Sequence, residues 1–296
     1  MSVAARYPTP DALQGAARRA TGALPPLLAE AERLAATVVL GDHGRRRAGT
    51  GEEFWQYRQA IPGDAAQGID WRRSGRSDVA FVRQTEWSAA QTVTLSVDPA
   101  RSMHYPDRGE SKAARAALLA CAMAFLLTRG GERVALAHPS LPPGRGRAQV
   151  DRIAAALGAG AEAAADYAVP AMPDARRGLL VALSDFLAPE AELAPALDRL
   201  ADEGHRAVLL QVMDESEESF PFDGRTEFRS MSGALRFETE RARALREGYR
   251  ARLEARREML RGRARRSGWS FGVHRVQDPA SAALLWLHRA IDGARR

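Results

Sequence analysis

From Gln91 onward the apolar positions of the chain alternate between two periods. Short, near-continuous apolar runs, such as Val93-Thr94-Leu95-Ser96-Val97 and Leu179-Leu180-Val181-Ala182-Leu183, are separated by stretches where apolar residues return every three to four positions. The longer period predicts amphipathic helices, and the unbroken runs predict strands buried on both faces. Helices are expected over 112–129, 148–157, 189–203, 240–267 and 280–291, and further strands over 133–138, 207–213 and 269–276. Glycines at 130–131 and 204 stand where helices stop on a residue tolerant of positive φ. This alternation predicts an α/β fold with a mostly parallel sheet and helices on both faces. Residues 214–238 break the rhythm, and an irregular excursion or short antiparallel edge is expected there.

Before that boundary the pattern differs. Residues 1–23, punctuated by Pro8, Pro10 and Gly22, read as a lead-in with little order. Leu27, Ala31, Leu34, Ala35 and Val38 then share one face of a helix that Gly41 stops. The basic, glycine-rich stretch His43–Gly51 suits an exposed loop. Two β-like pieces, Phe54–Ile61 and Val79–Gln84, flank the turn Pro62-Gly63-Asp64. The expected organisation is a lead-in and helix (1–41), a small β-rich appendage (42–90) and the α/β domain (91–296).

Composition changes this picture little. An apolar fraction of 45% and a charged fraction of 27% belong to a soluble globular chain. The net charge is +6, and Lys112 is the sole lysine among the 43 basic residues. Interleaved Glu and Asp make solvated, paired faces the plain reading of so many arginines, with an anionic surface or nucleic acid as the alternative partner. The single Cys121 lies in the apolar run Ala116–Leu127, so a buried thiol and a reducing compartment are expected. That run is well short of the roughly 20 residues that span a bilayer. The N-terminus lacks the apolar core of a signal peptide, and a cytoplasmic location is expected.

The chemistry concentrates between Phe54 and Met103. Asp98 ends an apolar strand and Ser102 follows four residues later; Asp185 ends another strand. Ligands of open α/β sheets bind at such carboxyl ends. Upstream, Asp64 and Asp70 alternate with Arg58, Arg72, Arg73 and Arg76 around Trp71, either as an interaction surface or as a partly buried ion-pair staple. Arg101, in the loop after Asp98, is expected to be exposed. Catalytic signatures are missing from the sequence: the six histidines show no H-E-x-x-H spacing, there is no G-x-S-x-G elbow, and Gly144-Arg145-Gly146 lacks a phosphate-loop ending. A non-enzymatic protein is expected.

The block E-F-x-x-Y-R-x-x-x-P-G-D-x-x-x-x-I-D-W-x-x-S-x-R at Glu53–Arg76 resembles the bacterial domain-of-unknown-function family 58. Val82-Arg83, Asp98–Met103, Pro142–Arg147, Leu183–Asp185 and Pro221–Thr226 follow in that family's order. The resemblance implies a von Willebrand factor A-like (Rossmann-like) core and partnership with a MoxR-type AAA+ ATPase in assembly or maturation of other complexes. In metal-binding von Willebrand A domains a D-x-S-x-S loop, a threonine and a later aspartate hold one divalent ion. By that analogy Asp98, Ser102 and Asp185 are candidate metal ligands, but Ala100 stands where the first hydroxyl belongs. Weak Mg²⁺ binding and vestigial, backbone-capping carboxylates are the two readings. The implied interaction surface comprises Arg58, Asp64, Asp70, Arg72, Arg76 and Arg101; a metal-dependent ligand binder and an Arg-mediated anionic-surface binder are the alternatives.

Overall fold

A computed structural model describes residues 27–38, 48–60, 69–75, 79–86, 92–106, 109–159, 165–173 and 178–294. The chain divides into two compact units, residues 41–91 and residues 1–40 with 92–296. The lead-in 1–23 lies outside the described residues.

In the smaller unit, strand β1 (Ala48–Gln59) pairs antiparallel with β2 (Phe81–Glu86), with register shifts near Gly49 and Phe54. Ala48–Gly51, expected in a loop, belongs to β1. The one-turn helix α2 (Trp71–Ser74) is stapled to β2. Ser74 Oγ donates to the Asp70 carbonyl at 2.8 Å and accepts from Phe81 N–H at 2.8 Å, and Asp70 N–H reaches the Phe81 carbonyl at 2.8 Å.

The larger unit is built on a six-stranded sheet in the order β10-β7-β6-β3-β4-β5. Its strands are β3 (Thr92–Val97), β4 (Arg133–Leu136), β5 (Leu141–Gly144), β6 (Leu179–Ser184), β7 (Arg206–Met213) and β10 (Ser270–Arg275). Every pairing is parallel except β4 with the edge strand β5. Because side chains alternate across a strand, each apolar run supplies two cores. Val93, Leu95, Val181, Leu183, Val208 and Leu210 face the helices α1 (27–38), α3 (Lys112–Arg129), α4 (Gly146–Gly158) and α8 (Ala280–Ala294). Leu180, Ala182, Ala207 and Leu209 face α5 (Glu190–Asp202) and α7 (Ala242–Ser267). The unit is an α/β domain, a mostly parallel sheet covered by helices on both faces, with α1 packed through Ala31, Ala35 and Val38 into the first core.

Three local details depart from the periodic reading. The strand expected to reach His138 ends at Leu136, and the Leu-Pro-Pro-Gly stretch after it forms β5. Prolines fit this edge strand, where backbone donors are not needed on the solvent side. Gln149 on α4 holds β5 in place, donating to the carbonyls of Val134 and Pro142 at 2.8 and 2.9 Å. Residues 214–239 are more ordered than their polarity announces. They form a short helix α6 (Glu215–Ser219) and an antiparallel hairpin of β8 (Thr226–Arg229) and β9 (Arg236–Thr239). Gly131 and Gly204 do take positive φ just past α3 and α5.

Two measurements check this packing. Cys121 is fully buried and burial pushes its thiol up to about 12; thiol reagents should label it only after unfolding, and fast native-state labelling would contradict the placement of α3. A Cβ at Gly272 would lie 2.6 Å from the Trp286 ring. Gly272→Ala should therefore cost about 1–3 kcal/mol in denaturant unfolding, as overpacking does.

Candidate functional site

The connection after β3 leads to α3 on one face of the sheet, whereas the connection after β6 leads to α5 on the other. The carboxyl ends of these neighbouring strands therefore part around a crevice, the switch point at which doubly wound sheets bind ligands. Asp98, Ser102, Ser184 and Asp185 all stand there, and all are buried. Asp98 N–H donates to the Leu183 carbonyl at 3.0 Å, which closes the two strand ends together. A 3-10 turn, Arg101–His104, follows, and its first amides are held by the carbonyls of Ala165 and Asp166 at 3.0 and 2.8 Å.

The sequence placed three of these residues together and missed the group at their centre. Lys112, the first residue of α3, is completely buried, and its ammonium donates to Asp185 Oδ2 at 3.0 Å and Glu217 Oε1 at 2.7 Å. Burial opposes its charge, but Asp185 and Glu217 outweigh burial and hold the ammonium above the ordinary lysine range. The Tyr105 ring centroid lies 6.0 Å away, and the Tyr105 hydroxyl meets Ser216 Oγ at 2.7 Å. Glu217 is fixed from its other oxygen. Asp214 and Glu217 form a capping box at the start of α6, in which Glu217 Oε2 accepts from Asp214 N–H at 3.0 Å. The signal for Lys112 was present in its being the only lysine in an arginine-rich chain; nothing in the spacing announced Glu217.

All four oxygens of the two aspartates already have internal donors. Asp98 Oδ1 accepts from Ala100 N–H at 2.8 Å and Asp98 Oδ2 from Ser184 Oγ at 2.5 Å. Asp185 Oδ1 accepts from Leu187 N–H at 3.0 Å, and its Oδ2 from Lys112. Ser102 Oγ is buried without a hydrogen-bond partner among the described residues. Mg²⁺ asks for about six oxygens at roughly 2.0–2.1 Å. With the carboxylate oxygens engaged and Ala100 lacking a hydroxyl, this arrangement does not fit a divalent ion. Among the described residues no group of three or more His, Cys, Asp or Glu is arranged to hold a metal.

The other sequence candidates fall in several places. Arg101 is half-buried and Arg72 exposed. Asp64 and Arg76 lie outside the described residues, and Arg58 is placed only through its backbone, opposite Val82 in the β1–β2 ladder. Trp71 is 66% exposed, so it is not the buried centre of an ion-pair staple. A one-turn helix clamped by Ser74 holds the motif without covering the indole.

A second feature adjoins the cluster and was not foreseen. Phe220, the left-handed C-cap of α6, begins an aromatic pile with Phe222, Phe228 and Tyr249 at ring-centroid separations of 5.0–5.6 Å. Phe237 extends it from β9, its ring stacked on that of Phe228 at 6.5 Å. Between the hairpin and α7 lies an apolar groove of about 470 Å³, floored by Ala244, Leu245 and Gly248. Phe237 is 54% and Leu235 70% exposed. The hairpin tip is tied back to the site, since Asp166 accepts from Ser232 N–H and Oγ at 2.8 and 2.7 Å.

A doubly wound α/β domain with an internally hydrogen-bonded polar cluster at its switch point is the class that fold and site define. The chain belongs to the family described as Protein of unknown function DUF58, which it matches over residues 56–259. It is 29% identical over 198 residues to the uncharacterized proteins Mb1516 of Mycobacterium bovis and Rv1480 of Mycobacterium tuberculosis. The alignment takes in 62% of this chain and 62% of each relative, so the chain spans less than two thirds of their length. Two solved structures are loosely similar. One is an aerotolerance-related membrane protein from Bacteroides fragilis (16% identity, TM-score 0.42, 69% of this chain and 99% of that one). The other is the conserved hypothetical protein BatB from Bacteroides thetaiotaomicron (14%, TM-score 0.43, 70% and 99%). At these scores neither bears on function. No helix among the described residues is long and apolar enough to cross a membrane.

Asp98 yields a pH prediction. Burial lifts its carboxyl to about 6, against the pull of Ser184 O–H and Ala100 N–H; Asp185 adds to the rise and Lys112 opposes it. Below the ordinary value of 3.8 the folded and unfolded chains both hold this proton. As pH rises from there to about 6 the folded state binds more protons than the unfolded one, so stability falls, by about 3 kcal/mol in all. Asp98→Asn should therefore raise unfolding free energy at about pH 7 and leave it nearly unchanged at about pH 4. Equal effects at both pH values would show that Asp98 is ionised without cost.

Proposed function

We propose that this chain is a non-enzymatic protein-interaction module. Its partner is a MoxR-type AAA+ ATPase, with which it serves the assembly or maturation of other complexes, on the cytoplasmic side. The observation that carries the docking role is the exposed aromatic groove beside the strand-end cluster. Exposed phenylalanine and leucine on a hairpin are costly to keep in water and useful chiefly when something covers them. The carboxylates and the ammonium of the cluster bond to one another and to nearby amides and hydroxyls, and no base lies on the Ser102 hydroxyl among the described residues, which favours recognition over catalysis. The choice of an AAA+ ATPase rests on the family resemblance.

The groove's rim specifies the occupant's chemistry. Arg241, Arg243, Arg246, Arg250 and Arg252 stand at this end of α7, with Asp223, Glu240 and Glu247 nearby in sequence, while Glu227 and Glu238 of the hairpin are paired with Arg229 and Arg225. Among the described residues Arg246 and Arg250 bond to backbone carbonyls, of Phe220, Phe222 and Ser219. An apolar segment flanked by acidic residues, on the ATPase, complements such a rim. Charge of this kind sets the association rate, and the buried aromatic anchor sets the affinity.

Binding of the purified MoxR-type ATPase from the same genome tests this. Phe237→Ser should weaken it at least about 10-fold, as loss of an anchor does, with the melting temperature unchanged. Arg101→Glu should weaken it less, through the association rate. If the ATPase does not bind, or binds both variants at full strength, the reading fails; steeply salt-dependent binding of DNA instead would replace it with the anionic-surface reading.

A further inference from the structure

We infer that the ammonium of Lys112 is the resident cation of the switch-point cluster, a tethered charge doing the work for which such a cluster would otherwise need a free metal ion. Its position is the first argument. Lys112 has no solvent exposure, and it lies on Asp185 Oδ2 and Glu217 Oε1 at 3.0 and 2.7 Å. These carboxylates come from the end of β6 and from α6 beyond β7, while Lys112 itself opens the helix that follows β3. One cation therefore joins three separate connections around the crevice, as a bridging ion would.

Residue type is the second argument. The site takes the only lysine of a chain whose other basic residues are all arginine. An ammonium is a compact point charge with three donors, whereas a guanidinium is a wide planar fork that suits bidentate pairing. Two carboxylate oxygens from separate elements, at 3.0 and 2.7 Å from one nitrogen, suit the first. The third argument is the state of the neighbours. The remaining oxygens of Asp98 and Asp185 are already satisfied by amides and a hydroxyl, so nothing but the ammonium is needed to complete them.

A tethered cation has no concentration dependence and cannot be chelated. The face around it, including α6 and the Phe220 cap that leads into the aromatic groove, is held in one arrangement at any level of divalent ion. This conclusion stands on the geometry of the larger unit and does not require the docking role proposed above.

Thermal unfolding of the full chain tests it, with EDTA and then with MgCl₂, MnCl₂, CaCl₂ or methylammonium chloride. The unaltered protein should melt at the same temperature in all of them. Lys112→Ala should melt roughly 10 °C lower, because buried carboxylates lose their only counter-charge, and one of the added cations should restore part of that loss. Should Lys112→Ala not fold, the neutralised variant Lys112→Met/Asp185→Asn/Glu217→Gln decides. Recovery of a cooperative melt in that variant supports the claim, and its failure overturns it. Stabilisation of the unaltered protein by Mg²⁺ over EDTA overturns it. So does a Lys112→Ala variant as stable as the parent, or one that is destabilised and gains nothing from any cation, since Lys112 would then be an ordinary structural ion pair.

Discussion

A positive charge taken wholly out of water is tolerable only where carboxylates meet it at hydrogen-bond distance, and the architecture around Lys112 follows from that constraint. Desolvating an ammonium costs several kcal/mol before any pairing is counted. The compensation comes from Asp185 and Glu217, and each has to be aimed. Asp185 is aimed by the Leu187 amide, Glu217 by the capping box of α6. Asp98 is aimed in turn by Ser184, whose Oγ also accepts from Phe186 N–H at 2.8 Å. Removing any one of these leaves a buried group facing nothing, which is why the strand ends, α3 and α6 form one interlocked set.

The polar network does not stop at the crevice. Gln211, buried on β7, donates to the Asp185 carbonyl at 2.8 Å and accepts from Arg257 of α7 at 2.8 Å; Arg257 is also paired with Glu218 of α6. Polar side chains in the middle of the sheet are thus satisfied in series rather than singly. A series of this kind rigidifies when complete and is costly when broken. It links the crevice to the helix that carries the aromatic groove.

Much of the fold was legible in the sequence because the larger unit obeys simple periodicity. Runs such as Leu179–Leu183 have nowhere to go but the interior of a parallel sheet, and the glycines after α3 and α5 punctuate as expected. The hairpin β8–β9 was legible only as one of two readings, an irregular excursion or a short antiparallel edge, since Arg, Glu and Phe alternate there on a largely exposed surface. Strand β5 was hidden by its prolines. At the site, strand-end position identified Asp98, Ser102 and Asp185, because topology alone brings β3 and β6 together. Glu217 is 105 positions from Lys112, and only the packing of α6 beside α3 joins them. Trp71 misled for the opposite reason: a tryptophan amid charges reads as a buried anchor, and here a one-turn helix leaves it in solvent.

Helix α7 has 26 residues, so at about 1.5 Å per residue it is a rod of about 39 Å. From Leu253 onward it is embedded through Leu253, Leu260 and Ala264, while the turns before Leu253, beyond the buried contact of Ala242, stand largely clear of the core and form one wall of the groove. Such a rod is a lever with its fulcrum at the sheet. A pull applied to the hairpin end would arrive as torque on β7 and on Arg257, through hydrogen bonds rather than through slack loop. Whatever docks in the groove therefore bears on a helix already bonded, through Arg257 and Gln211, to the strand ends.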